Sequence, residues 1–385
     1  MNDPRLIESR LIDSLRLART DGVGPVTFRR LLDRFASPAA AIDALPGLAK
    51  AGGRAQAPVV PPKVDAEREI AALRKLGGQF LIWGQPDYPE LLALLDDAPP
   101  VVAVLGDPAI LSERAVALVG SRNASINGQR MAESLAAELA QAGLIVVSGM
   151  ARGVDAAAHT GALRTGKTIA AVAGGLDIPY PPEHADLQRQ IAESGAVISE
   201  APLGTAPQAR HFPRRNRLIA GLSLGVVVVE AAPRSGSLIT ARLAQENGRE
   251  IFAVPGSPLD PRARGANDLI RQGAHLTENL DDILSNLPDH PSRQGISRSP
   301  LFARPDPRGL REPETPFQTS DTAPGEMAHI REKILSLLTP APTAVDDLVR
   351  RCQFSAPAVM AALLELEIAG RVETLPGNRV ARLDY

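Results

Sequence analysis

Between Gly120 and Gly256 the chain gathers glycines, small hydroxyl residues and arginines at the points where loops leave apolar runs. Gly120-Ser121-Arg122 follows AVALV, and Ser148-Gly149-Met150-Ala151-Arg152-Gly153 follows LIVV. Gly174-Gly175-Leu176-Asp177 follows TIAAVA, and Ser235-Gly236-Ser237 lies a few residues beyond VVVVEA. Glycine lets backbone approach an anion closely, and a helix N-terminus supplies N–H groups and the positive end of its dipole. A row of such loops points to a surface that holds phosphates, with plain turn chemistry as the alternative. A second element, Arg210-His211-Phe212-Pro213-Arg214-Arg215-Asn216-Arg217, sets four arginines around one aromatic ring at the entrance to a helix. Arginine pairs with phosphate through two parallel bonds, and a phenyl ring stacks on an exposed base. That mixture suits single-stranded nucleic acid. The alternative is that Arg217 forms a salt bridge within the fold and Phe212 belongs to the core.

Little here breaks bonds. Asp155 and His159 lie four apart on one helix, and such a pair could act as a general base. No nucleophile stands beside them, so capping by Asp155 and a hydrogen bond from His159 one turn on are the expected roles. Neither G-x-G-x-x-G after a strand nor a Walker A sequence occurs. The segment from Gly161 to Thr168 resembles the end of a Walker A loop, but Thr168 opens a strand rather than a helix. No cofactor and no metal site are expected, and the single Cys352 excludes an internal disulfide framework and fits a reducing compartment.

These loops require an alternating β/α scaffold to bring them together. Strands are expected at 115–119, 144–148, 168–173, 196–199, 226–229 and 251–254. Helices are expected at 128–142, 154–164, 185–194, 217–222 and 238–247. Continuous apolar runs such as VVVV at 226–229 fit parallel strands buried on both faces. The fold expected is α/β, a Rossmann-like doubly wound and mostly parallel sheet whose ligands sit beyond the carboxyl ends of its strands.

The chain has 385 residues, of which 44% are hydrophobic and 22% charged, with a net charge of -2. At roughly one domain per 150 residues, two or three domains are expected. The near-neutral charge means that an anionic partner needs a local basic patch. No apolar run nears the length that spans a bilayer, so no membrane insertion and a cytosolic, or cytoplasmic, location are expected. Residues 1–78 read as a small helical module of the SAM-like or helix-hairpin-helix kind, with a turn at Asp21-Gly22-Val23-Gly24-Pro25. Residues 79–287 hold the Rossmann-like domain, and 288–325 form a proline-rich linker. Residues 326–385 read as three helices and a hairpin, a winged-helix pattern, with Thr343 and Ser355 as N-caps. Its third helix carries Glu365 and Glu367 and no Lys or Arg, which favours docking to protein over reading a duplex.

Taken in order, these motifs resemble the DNA processing protein A (DprA/Smf) family. The match runs through VGSR at 119–122, SGMARGVDAAAH at 148–159, GGLDIPYP at 174–181 and SEAPLGTAP at 199–207. It continues through HFPRRNRLIAGLS at 211–223, EAAPRSGSLITARLA at 230–244, FAVPG at 252–256 and GANDLIRQGA at 265–274. His184 departs from the asparagine often found in that loop. The resemblance implies a non-catalytic protein that binds single-stranded DNA, dimerises and helps load the RecA recombinase during natural transformation. Carried onto this chain it places Arg122, Arg214, Arg215, Asn216 and Arg217 on phosphates. Gly120, Ser121, Ser148, Gly149, Arg152, Phe212, Ser235, Gly236 and Ser237 complete the expected surface. Two other readings are a nucleoside-monophosphate phosphoribohydrolase and a winged-helix regulator. The first needs a GGxGTxxE helix start, and laid on Ser235–Arg242 its threonine falls on Ile239 and its acid on Arg242.

Overall fold

The computed structural model describes residues 4–290, 324–375 and 377–383. The expected linker therefore lies almost wholly outside the described residues, as does Pro376 of the expected wing turn. Four helices come first: α1 (Pro4–Ala18), α2 (Pro25–Phe35), α3 (Pro38–Ala51) and α4 (Lys63–Lys75). Prolines 25 and 38 sit in the first turns of their helices, where the missing N–H costs nothing. Ser37 caps α3 by accepting from the Ala40 N–H at 3.2 Å.

The α/β part follows as β1 (Gly78–Ile82), α5 (Glu90–Ala93), β2 (Val101–Gly106), β3 (Ala115–Val119), α6 (Ile126–Gln141), β4 (Ile145–Ser148), α7 (Val154–Thr165), β5 (Thr168–Ala171) and α8 (Ala185–Ser194). It continues with β6 (Ala196–Ser199), α9 (Phe212–Gly221), β7 (Gly225–Val228), α10 (Gly236–Glu246), β8 (Glu250–Ala253), α11 (Arg264–Arg271), β9 (His275–Leu276) and α12 (Leu280–Leu284). The nine strands lie in the order β1-β2-β6-β5-β4-β3-β7-β8-β9. From β6 to β9 every neighbouring pair is parallel, and β2 joins β6 antiparallel. The central strands are buried along their whole length, and Val116, Leu118, Val146 and Val227 meet Leu135 and Leu139 of α6 in one core. That is the pattern of a sheet covered on both faces.

Strand order places the candidate crevice. The chain steps outward from β3 through β4, β5 and β6, then returns to lay β7 on the opposite side of β3. Ligands in such sheets bind at this reversal, beyond the carboxyl ends of the strands. Here those ends are the loops after Val119 and Val228.

The last part comprises α13 (Pro324–Leu337), β10 (Thr343–Ala344), α14 (Val345–Cys352), α15 (Ala356–Ile368), β11 (Val372–Leu375) and β12 (Arg379–Arg382). The three strands form an antiparallel sheet ordered β10-β12-β11, the expected winged-helix arrangement. Ser355 caps α15 as expected, accepting from Ala358 N–H at 3.4 Å. Thr343 does not cap α14. It is drawn into the sheet opposite Val380, and Ala344 takes the cap position without a side-chain bond.

Candidate nucleic-acid interface

The loop after β3 and the loop after β7 face a cavity of about 490 Å³ at the strand-order reversal. Gly120, Ser121, Arg122 and Asn123 line one side, and Arg234, Ser235, Gly236, Ser237 and Thr240 line another. Phe212, Arg215 and Asn216 of α9 supply the third, with Asp155 of α7 at its floor. Ser235 opens α10 as its N-cap, and its hydroxyl is 2.7 Å from that of Ser237. Asn216 Nδ2 donates to the Gly236 carbonyl at 3.4 Å and so ties α9 to the start of α10. On the other side, Asn123 N–H donates to Ser121 Oγ at 3.2 Å. The loop then enters α6 through Ser125, whose hydroxyl and N–H both donate to Glu230, at 2.5 and 2.9 Å.

Close backbone approach holds the two walls together. Gly153 has a φ of 75°, and any side chain there would strike the Ser121 carbonyl. Gly149 is needed for a different reason. Its missing Cβ is the space occupied by the Arg215 guanidinium, which packs directly on the Gly149 backbone.

Arg215 is buried and its Nη1 lies 3.5 Å from Asp155 Oδ2. Burial pushes the Asp155 carboxyl above its usual range, with the Arg215 charge as the main opposing effect. Burial likewise lowers Arg215, and the nearby Arg122 lowers it further while Asp155 opposes both. The Arg215 and Arg122 guanidiniums lie against the Phe212 ring, 5.6 and 4.9 Å from its centroid. Tyr180 meets the same ring edge-on at 6.1 Å. Phe212 is half-buried, while Arg122, Arg210, Arg214 and Arg234 are exposed. None of these four has an ion-pair partner among the described residues. The lowered pKa of His211, caused first by burial and then by Arg210 and Arg214, reports the same local positive field.

Several expected site residues lie elsewhere. The sequence places the arginine group before a helix starting near 217, but α9 begins at Phe212, with Pro213 in its first turn. A helix turns each residue by roughly 100°, so the group is divided: Arg214 faces out, while Arg215, Asn216 and Arg217 are buried. Arg217 pairs with Glu200 at 2.5 Å, the structural alternative, and does not line the cavity. Ser148 is fully buried and donates to the Leu118 carbonyl at 2.6 Å. Arg152 is exposed and paired with Glu183, outside the cavity lining. The Gly174–Asp177 loop is engaged in the fold: Ser199 Oγ donates to the Gly174 carbonyl at 2.7 Å, and Asp177 accepts from Gly204 N–H at 2.9 Å. Arg217→Ala should therefore cost about 3 kcal/mol of stability by breaking its largely buried ion pair with Glu200, and leave the salt dependence of oligonucleotide binding unchanged. A flattened salt dependence at wild-type stability would return Arg217 to the interface.

His159 does not reach Asp155. Its Nδ1 lies 2.8 Å from Thr168 Oγ1, whose own hydroxyl donates to the Val146 carbonyl at 2.6 Å. Nδ1 is therefore the donor, and Nε2 is a buried acceptor without a hydrogen-bond partner among the described residues. Burial, with His184 and Arg215 adding to it, lowers this imidazole to a pKa of about 3. Below its ordinary value the unfolded chain binds a proton that the folded chain refuses. This contribution to stability is therefore complete above about pH 6.5 and is lost as pH falls toward 3. His159→Gln should flatten the acid side of a plot of urea midpoint against pH. An unchanged slope would show that another group sets it.

Sequence reasoning missed Tyr180, Arg234 and the seating role of Asp155. Tyr180 is an exposed aromatic residue inside a motif otherwise made of turn residues, a usable signal. Arg234 has a φ of 70°, uncommon outside glycine, which holds its side chain at the mouth of the α10 loop.

Comparison with known proteins agrees with this fold. The family described as DNA recombination-mediator protein A matches residues 79–288. A DprA-like N-terminal HHH domain matches 8–72, and a DprA winged helix domain matches 318–378. Protein Smf of Synechocystis is 35% identical over 393 residues, covering 96% of this chain and 98% of its own. The crystal structure of DNA processing protein A from Streptococcus pneumoniae superposes with a TM-score of 0.61 at 31% identity, covering 75% of this chain and all of that one. DNA processing protein A from Helicobacter pylori, whose structure is described in terms of its single-stranded DNA binding mode, gives a TM-score of 0.50 at 31% identity. It covers 54% of this chain and 95% of its own. On the order of its motifs, its strand topology and these matches, the chain belongs to the DNA recombination-mediator protein A family of DNA processing (DprA/Smf) proteins.

Proposed function

We propose that the chain binds single-stranded DNA across the cavity at the ends of β3 and β7 and does not cleave it. The observation that carries this is the pairing of two exposed arginines without an ion pair among the described residues (Arg122 and Arg234) with one half-buried ring, Phe212, in the cavity lining; Arg214 is exposed on the same helix as that ring. Such a rim takes backbone phosphates, and such a ring takes a base without regard to sequence. A duplex keeps its bases stacked inside and has none to offer the ring.

The acidic and imidazole groups nearby are already engaged, which supports binding without hydrolysis. Asp155 is held by Arg215, Glu230 by Ser125, and His159 is buried on Thr168. Where a phosphoribohydrolase needs a catalytic acid, Arg242 is exposed and pairs with Glu246. The relatives are DNA processing proteins and the family is one of recombination mediators, which supports delivery of the bound strand to a RecA-type recombinase, a role assigned in this reading to a homodimer in the cytoplasm. Fluorescence anisotropy with a labelled oligothymidylate and a duplex of equal length tests the reading. The expected result is salt-sensitive binding with preference for the single strand. Equal affinity for the duplex would overturn it.

A further inference from the structure

Apart from Glu365 and Glu367, the third helix of the winged-helix module is apolar. Ala358, Val359, Ala362, Leu363, Leu364, Leu366 and Ile368 of α15 are all buried, as is Glu365. From Ala362 to Ile368 the helix is a core element, with only Glu367 half-buried, while Ala356 and Pro357 at its start are exposed. Two cores claim it. Val359, Ala362, Leu363 and Leu366 pack with Ile334, Leu348, Val372 and Val380 of the winged-helix module itself. Leu364 and Ile368 instead join Phe28, Leu31, Leu45 and Leu48 of α2 and α3. Helices α1 to α3 and the winged-helix module belong to one structural unit.

The polar contacts fix how α15 lies on α2 and α3. Arg30 of α2 pairs with Glu367 at 3.7 Å and donates to Thr374 Oγ1 at 3.3 Å. Arg54 donates to the Ile368 carbonyl at 3.3 Å. Gly52, just past α3, stands so close to α15 that a Cβ there would meet the Ala369 methyl at 2.6 Å. The remaining acid, Glu365, is taken by Arg331 of α13 at 2.6 Å. In helix-turn-helix proteins that read duplex DNA, the corresponding helix lies in the major groove and carries donors to base edges. Here that helix has no Lys or Arg, and its face at Leu364 and Ile368 is occupied by α2 and α3.

We propose that α15 is a docking helix whose partner is the α2–α3 face of the chain's own N-terminal module, and that the winged-helix module is a clasp rather than a duplex reader. Leu364 and Ile368 supply the apolar contact. The Arg30–Glu367 pair sets register, since shifting α15 along the face leaves a charge buried without its counterion. The inference stands apart from the single-strand reading, which concerns the other unit.

The test uses the full chain. Arg30→Glu and Glu367→Arg should each speed amide hydrogen exchange in residues 363–368 at least about tenfold, through local opening. The double variant Arg30→Glu/Glu367→Arg should return most of the protection. In the wild type, a saturating duplex should leave exchange in α15 unchanged. The proposal is overturned if both single variants exchange like wild type. It is also overturned if the double variant is no better than the singles, or if duplex DNA protects α15.

Discussion

Gly149→Ala should both destabilise the protein and abolish most of its affinity for single-stranded DNA. The methyl group would enter the volume now held by the Arg215 guanidinium. That guanidinium cannot yield by a small rotation, because it is buried between the Gly149 backbone, Asp155 and the Phe212 ring. Once displaced, it leaves Asp155 as a buried carboxylate without a counterion, at a cost of about 3–5 kcal/mol. It also removes a support beneath Phe212, so the ring and Arg122 lose their relative placement. A urea titration should show a lowered midpoint with an unchanged slope, and anisotropy should show binding weakened by about a hundredfold or more. Wild-type values for both would mean that Arg215 is not seated on Gly149 in solution.

Arg122→Ala should have the opposite profile, a large effect on binding with almost none on stability. Arg122 is exposed, and its charge favours the buried Asp155 while opposing the buried Arg215, so its removal leaves the core nearly as it is. It does remove one phosphate contact and the cation lying on Phe212. Loss of one contact should weaken single-strand binding roughly tenfold and make the slope of log affinity against log salt less negative by about 0.7. Arg214→Ala, one helical step from the buried Arg215, should give the same flattening. If Arg122→Ala weakened binding without changing the slope, its role would be support of the Phe212 ring rather than phosphate contact.

The contrast between Arg122 and Arg215 shows where sequence reading succeeds and where it stops. The β/α alternation is legible because buried parallel strands are continuous apolar runs, and the loops after 119 and 228 follow directly. The three-helix and wing pattern at the C-terminus is legible from the Ser355 cap and the hairpin. The four arginines from 210 to 217 are not separable by type. Only the helix start at Phe212, signalled by Pro213, divides Arg214 from Arg215 and Arg217. Their partners Asp155 and Glu200 lie on other elements, and strand register alone brings them within reach. The Gly174–Asp177 loop has the same composition as the cavity loops. What removes it is its packing on the 199–205 segment, a tertiary fact with no local mark. The uniform apolarity of α15 is plain in the sequence, but which face meets which module is not.

The central assignment is tested most directly by photo-crosslinking the full chain to an oligonucleotide carrying 5-iodouracil, with the adducts located by mass spectrometry. Adducts are expected at Phe212 or Tyr180 and in the loops at 120–123 and 232–237, and Arg122→Ala should reduce them. Adducts confined to the turn at 20–25 or to residues 324–383 would place the strand on the other unit and contradict the assignment of the cavity.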